Sequence, residues 1–125
     1  MELVVYKLNE GHYERFLFNT RDFNRENITV DIDNEKRTLA FSIKGFDKSF
    51  AYDFSESVPT DTECSVNMIQ VNDFVLDGGE ITYIVTPLIG NGNGLPETPV
   101  DICFRLKFSD GEFTCSDVEI TEMLF

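Results

Sequence analysis

Tryptophan is absent from these 125 residues, histidine occurs once and proline four times. Apolar residues never run to the ~18–20 that a membrane-spanning helix needs, so no such helix is expected. Met1-Glu2-Leu3-Val4-Val5 has neither a basic start nor a long apolar stretch, so no secretory signal is read. Synthesis and retention in a cytoplasm is the expectation, unless the chain leaves inside a larger particle. Cysteine is sparse and odd in number: Cys64, Cys103 and Cys115, with no CxxC spacing. That pattern reads as reduced thiols used as small apolar residues, not as a disulfide framework or a metal site. Basic residues are also scarce, 10 against 23 acidic, for a net charge of −13. Phosphates attract Lys and Arg, so direct binding to nucleic acid or an anionic membrane is disfavoured. Solubility, a basic protein partner, or mimicry of a nucleic-acid backbone remain as uses of the charge. The acids are spread along the whole chain, which argues against mimicry.

What the chain has in quantity is phenylalanine, 12 residues, within a hydrophobic content of 42%. In Val100–Phe108, Ile102, Phe104, Leu106 and Phe108 alternate with Asp101, Cys103, Arg105 and Lys107. Period two is the pattern of a strand with one buried face. Ser109-Asp110-Gly111-Glu112 then supplies a two-residue Asp-Gly turn into a second strand. From that turn, Phe108 meets Phe113 and Leu106 meets Cys115. Strict pairing would next set Phe104 against Asp117, a carboxylate on the buried face. One extra residue near Ser116-Asp117 restores Phe104 to Val118 and Ile102 to Ile120, so a β-bulge is predicted there. Arg105 then comes near Asp117 as a cross-strand ion pair. Cys103 and Cys115 fall on opposite faces, which argues against a disulfide between them.

Strand-like segments recur along the rest of the chain: Leu3–Leu8, Tyr13–Phe18, Ile28–Ile32, Leu39–Ile43, Phe46–Phe54, Cys64–Val71 and Ile81–Val85. Turn residues separate them, among them Asn9-Glu10-Gly11, Asn34-Glu35-Lys36 and Asp77-Gly78-Gly79. Asn19–Asn27 is polar and reads as a loop, Ser55–Thr62 as a linking loop, and Pro87–Pro99 as a Gly/Asn/Pro loop. No stretch of ten residues carries a helical stripe. About nine short strands at intervals of 8–15 residues predict an all-β fold, an antiparallel β-sandwich of immunoglobulin-like type. Residues 1–125 read as a single domain, the last seven strands sufficing for the sandwich and residues 1–27 forming an N-terminal extension.

Few residues invite a chemical role. Gly90-Asn91-Gly92-Asn93-Gly94 is followed by Leu95-Pro96, without the Lys and Ser or Thr of a phosphate loop or the helix of a dinucleotide fingerprint. It reads as an inter-strand loop that can recognise a partner at one end of the sandwich. Asp31-Ile32-Asp33-Asn34-Glu35 alternates carboxylates as calcium loops do, but Lys36 stands where an EF-hand needs Gly and Ser42 where it needs Glu. His12 sits beside a turn glycine with no nucleophile motif, so no Ser-His-Asp or Cys-His arrangement is read. No catalytic, cofactor or metal residue is assigned. The chain closes on apolar Met123-Leu124-Phe125. Asn91, Asn93 and Leu95 in the loop and Leu124 and Phe125 at the end are the protein-contact candidates.

Residues Phe74–Ile120, with "FVLDGGEITYIVTP", the Gly-rich loop and "VDICFRLKFSDGEFTCSDVEI", resemble small immunoglobulin-like domains of bacteriophage virion proteins, of the fibre-adaptor or capsid-decoration kind. In those domains a Gly-Glu strand precedes a strand ending in a Ser-Asp-Gly turn. The Trp that often precedes their Gly-Glu strand is missing here, and residues 1–55 lie outside the resemblance. The resemblance implies a non-enzymatic assembly role, with virion subunits as partners and a homo-oligomer as one expected state. The competing expectation is an acidic inhibitor that occupies the basic nucleic-acid groove of a host enzyme, as anti-restriction and anti-CRISPR proteins do. Lectin-like sugar binding ranks third, because such sites often stack sugars on Trp.

Overall fold

A computed structural model describes residues 2–56, 58, 63–67, 72–77, 80–90 and 97–122. It is all-β apart from one short helix: β1 (Glu2–Asn9), β2 (His12–Asn19), α1 (Thr20–Asn27), β3 (Ile28–Asp33), β4 (Thr38–Ile43), β5 (Ser49–Asp53), β6 (Ser65–Asn67), β7 (Asn72–Asp77), β8 (Glu80–Val85), β9 (Leu88–Gly90), β10 (Val100–Ser109) and β11 (Glu112–Glu122). Every pairing is antiparallel. The sheets run β11-β10-β8-β7, β3-β4-β5, β1-β2 and β6-β9. Among the described residues no helix is long and apolar enough to cross a membrane.

The four-stranded sheet has the predicted register. Phe108 pairs with Phe113 and Leu106 with Cys115, the register shifts between Arg105 and Leu106, and Phe104 then pairs with Val118 and Ile102 with Ile120. Ser116 is the extra residue, and its hydroxyl donates to the Arg105 carbonyl. Asp110 and Gly111 both have positive φ, 54° and 79°, as a tight hairpin turn matched to strand twist requires. Across the sheet the inward row continues as Tyr83 on Phe74 and Phe104, and Ile81 pairs with buried Leu106 and with Leu76, which is exposed on the edge strand β7. Arg105 does pair with Asp117 in register. Their side chains, however, form no ion pair, whereas those of Arg25 and Asp22 do. An exposed cross-strand pair gains too little to hold two long side chains in one geometry.

In the three-stranded sheet Ile28, Leu39, Phe41 and Ile43 are buried, and the pairs Ile28–Ile43, Val30–Phe41 and Phe41–Phe50 stand on its apolar face. The two larger sheets contribute to one buried cluster, which also holds Phe18, Phe54, Val58 and Cys64. Arg37 pins the segment after β5: its guanidinium donates to the Val58 carbonyl at 2.6 Å and lies 4.9 Å from the centre of the Phe54 ring.

Three expectations need correction. Eleven strands, not nine, stand among the described residues. Pro87–Pro99 is not all loop, because β9 pairs with β6 and Ile89 bridges to Glu97, whose carboxylate accepts from the Tyr52 hydroxyl. The polar run Asn19–Asn27 is a helix. Asn19 caps it by accepting from the Asp22 N–H at 3.0 Å, and Asp22 pairs with Arg25 one turn on. Thr20, Phe23, Asn24 and Asn27 follow a spacing of three and four, and all are buried or half-buried. The Tyr83 hydroxyl donates to Asn24 at 2.7 Å, which satisfies a polar group inside the core.

Candidate protein-interaction surface

β1 and β2 form a hairpin through Glu10 and Gly11, both with positive φ, 49° and 83°. Direct partners on a hairpin share a face, so its two faces can be assigned row by row. One face carries Leu3 with Phe18, Val5 with Phe16 and Lys7 with Glu14. It packs on the four-stranded sheet through rings. The Phe18 centroid lies 5.0–5.9 Å from those of Phe23, Phe74, Tyr83 and Phe113, and that of Phe16 lies 5.0 Å from Phe108. Gly111 permits the approach, since a Cβ there would come within 3.1 Å of the Phe16 ring.

The opposite face carries Val4 with Leu17, Tyr6 with Arg15 and Leu8 with Tyr13. Among the described residues nothing covers it. Tyr6 is 62% exposed, Leu8 60%, Tyr13 70% and Leu17 43%. Four large apolar side chains side by side on one face form a patch, unlike the scattered exposed residues of any surface. Arg15, exposed, is the single charged group in these three rows, and the Glu2–Asn19 pair follows them at the same parity. Tyr and Arg on an apolar ground is the composition of binding hot spots. Beside the patch, the free edge of β1 and the β10–β11 turn flank an open cleft of about 500 Å³, lined by Val5, Tyr6, Lys7, Leu8, Phe108 and Asp110 among others.

The five contact candidates read from the sequence, Asn91, Asn93, Leu95, Leu124 and Phe125, lie outside the described residues. The loop that holds the first three leaves from β9 and returns at Glu97. His12 is the exposed first residue of β2, paired with Asn9. Asp33 ends β3, and its carboxylate accepts from the Glu35 and Lys36 N–H groups, which accounts for it as a turn residue. Among the described residues no three His, Cys, Asp or Glu side chains gather as a metal would need. Cys64, Cys103 and Cys115 are free thiols, and Cys103 and Cys115 stand on opposite faces of the hairpin as expected. Burial pushes all three thiols upward from their ordinary range, and Asp101 and Glu119 add to the effect at Cys103.

The β1–β2 patch was not anticipated. Its signal was present in the sequence: Leu3, Val4, Val5, Tyr6 and Leu8 are apolar at both parities, as are Phe16, Leu17 and Phe18. A hairpin apolar on both faces needs two coverings, and the described residues supply one. Comparison of the chain with protein-family models, curated proteins and solved structures gave no match.

Proposed function

We propose that this chain is a non-enzymatic, protein-binding β-sandwich of immunoglobulin-like type, a component or adaptor of a larger assembly such as a phage particle. The observation that carries the reading is the uncovered face of β1–β2, where Tyr6, Leu8, Tyr13 and Leu17 stand in water beside Arg15. Exposed apolar patches of this kind mark contact surfaces. Asn91, Asn93, Leu95, Leu124 and Phe125 belong to the same reading as further contacts.

Capture from lysate of phage-infected cells, read by quantitative mass spectrometry, tests it. Proteins held by the wild type are expected to be lost with a Leu8→Ser/Tyr13→Ser double variant. The five further contacts are tested by alanine at all five positions. Equal capture by every variant sinks the assignment.

The second reading, an acidic inhibitor seated in a basic nucleic-acid groove, draws on the net charge of −13. The outward face of the four-stranded sheet interleaves Arg105 and Lys107 with Asp101, Asp117 and Glu119, so that face is mixed in sign. Binding of an inhibitor to a basic enzyme weakens as salt rises. Capture that is unchanged between low and high salt removes this reading.

A further inference from the structure

We infer that the unpaired edge of β1 binds an extended, net-basic segment of another protein as an added β-strand. The inference rests on the protein-binding reading above and names the form and charge of the partner. The hairpin turns through two residues, Glu10 and Gly11, both at positive φ. A two-residue turn of this kind makes Asn9 and His12 a hydrogen-bonded pair. Bonded and non-bonded pairs alternate along an antiparallel ladder. The bonds to β2 therefore fall on Leu3, Val5, Lys7 and Asn9. The N–H and C=O groups of Val4, Tyr6 and Leu8 point the other way, and among the described residues no strand pairs with them.

The open cleft lies on that side. Val5, Tyr6, Lys7 and Leu8 line one wall, and Phe108, Ser109 and Asp110 line the other. Successive residues of a strand point to opposite faces. A cleft lined by four in a row thus runs along an edge, and β2 occupies the other edge. A row of outward backbone groups recognises a second extended backbone. Other free edges are guarded by charge: β11 is bulged and carries Asp117, Glu119 and Glu122, and β3 carries Asp31 and Asp33. Between Glu2 and Asn9, β1 has one charge, Lys7, and no proline, and its register with β2 never shifts.

Charge sets the sign of the occupant. Against Lys7, Asp110 lines the cleft, Glu112 follows on the same turn, and Glu10 stands two residues beyond Leu8. The molecule as a whole carries −13. A segment with apolar residues toward Val5 and Phe108, and Lys or Arg toward the two turns, complements both walls. A second copy of this acidic chain does not.

Peptides of about ten residues with alternating apolar and polar positions, in acidic, neutral and basic versions, titrated to about 1 mM against the full isotope-labelled chain, test it. Amide exchange is read by NMR. The basic peptides are expected to bind, less tightly as salt rises. They should slow exchange at Tyr6 and Leu8 and leave Val5 and Lys7, already bonded to β2, unchanged. Tyr6→Pro removes an outward N–H without breaking a bond to β2, and should weaken binding about tenfold. Tyr6→Thr keeps that N–H and should retain most of the affinity. Val5 and Lys7 exchange checks that the hairpin survives in both variants.

No binding by any peptide overturns the inference. So does binding that prefers acidic peptides, that protects neither Tyr6 nor Leu8, or that is indifferent to Tyr6→Pro in an intact hairpin. Slow exchange at Tyr6 and Leu8 before peptide is added also overturns it, because this chain or a second copy then already holds the edge. Capture from lysate that survives Tyr6→Pro but is lost with Leu8→Ser/Tyr13→Ser overturns the edge and leaves protein binding through the face standing.

Discussion

Tyr83 joins the helix to the sheet by both its ring and its hydroxyl. Its ring is buried against Phe18, Phe23, Phe74 and Phe104, and its hydroxyl donates to Asn24. Burial pushes its phenol from 10.0 up to about 12. The folded state therefore keeps a proton that the unfolded chain gives up above pH 10, so this contribution is whole below pH 10 and is lost between pH 10 and about 12. Tyr83→Phe removes the donor to Asn24 and should cost about 1 kcal/mol or more at pH 7. Urea unfolding of both proteins from pH 7 to 12 checks this: the advantage of the wild type should hold to about pH 10 and then shrink. An advantage that grows with pH would contradict the burial of the phenol. Phe18, which touches four other rings, is the corresponding apolar anchor. Truncating so buried a ring typically costs about 3–5 kcal/mol.

At the scale of elements, β10–β11 shows what a bulge does. Ser116 lets Cys115 and Val118 share the inward face although they stand three positions apart, an odd spacing. Deleting Ser116 restores strict pairing and moves no inward side chain outward. Deleting Glu119 instead turns Ile120 to solvent. The Ser116 deletion should therefore be more stable than the Glu119 deletion by about 1 kcal/mol or more, the transfer value of a half-buried Ile. Urea midpoints of the two deletions decide it, and equal losses would mean that the bulge holds something besides register. This register was legible in the sequence because alternation, an Asp-Gly turn and one misplaced carboxylate together leave a single solution. The helix was not. Its inward positions are Thr20, Phe23, Asn24 and Asn27, three of them polar, so the stripe carries no hydrophobic signal. Its other sign, Asn19 ahead of Asp22, is also what a loop looks like. The β1–β2 strands were legible as strands, but the cover on one face comes from rings at Phe74, Tyr83, Phe108 and Phe113. Which face stays bare is decided by those distant partners, and nothing local to residues 2–19 specifies it.

Across the whole molecule, backbone hydrogen bonding and side-chain packing divide the structure differently. Among the described residues β1 and β2 pair only with each other, while β10 pairs on both sides, with β8 and β11. The rings of Phe16 and Phe18 tie the hairpin to the four-stranded sheet, and Leu3 packs against the core beside them. Such a unit opens at lower free energy than a doubly paired strand. Native-state hydrogen exchange should therefore find the amides of β1 and β2 less protected than those of β10, with Phe18→Ala widening the gap. Uniform protection across all three strands would show that the hairpin opens only with the whole.

Order along the chain gives that attachment a further consequence. Phe16 and Phe18 leave the ribosome well before Phe74, Tyr83, Phe104 and Phe113 exist. At roughly 5–20 residues per second, several seconds of translation separate the hairpin from the rings that will cover it. During that interval both of its apolar faces are bare, and the nascent chain is a substrate for whatever chaperone meets it first.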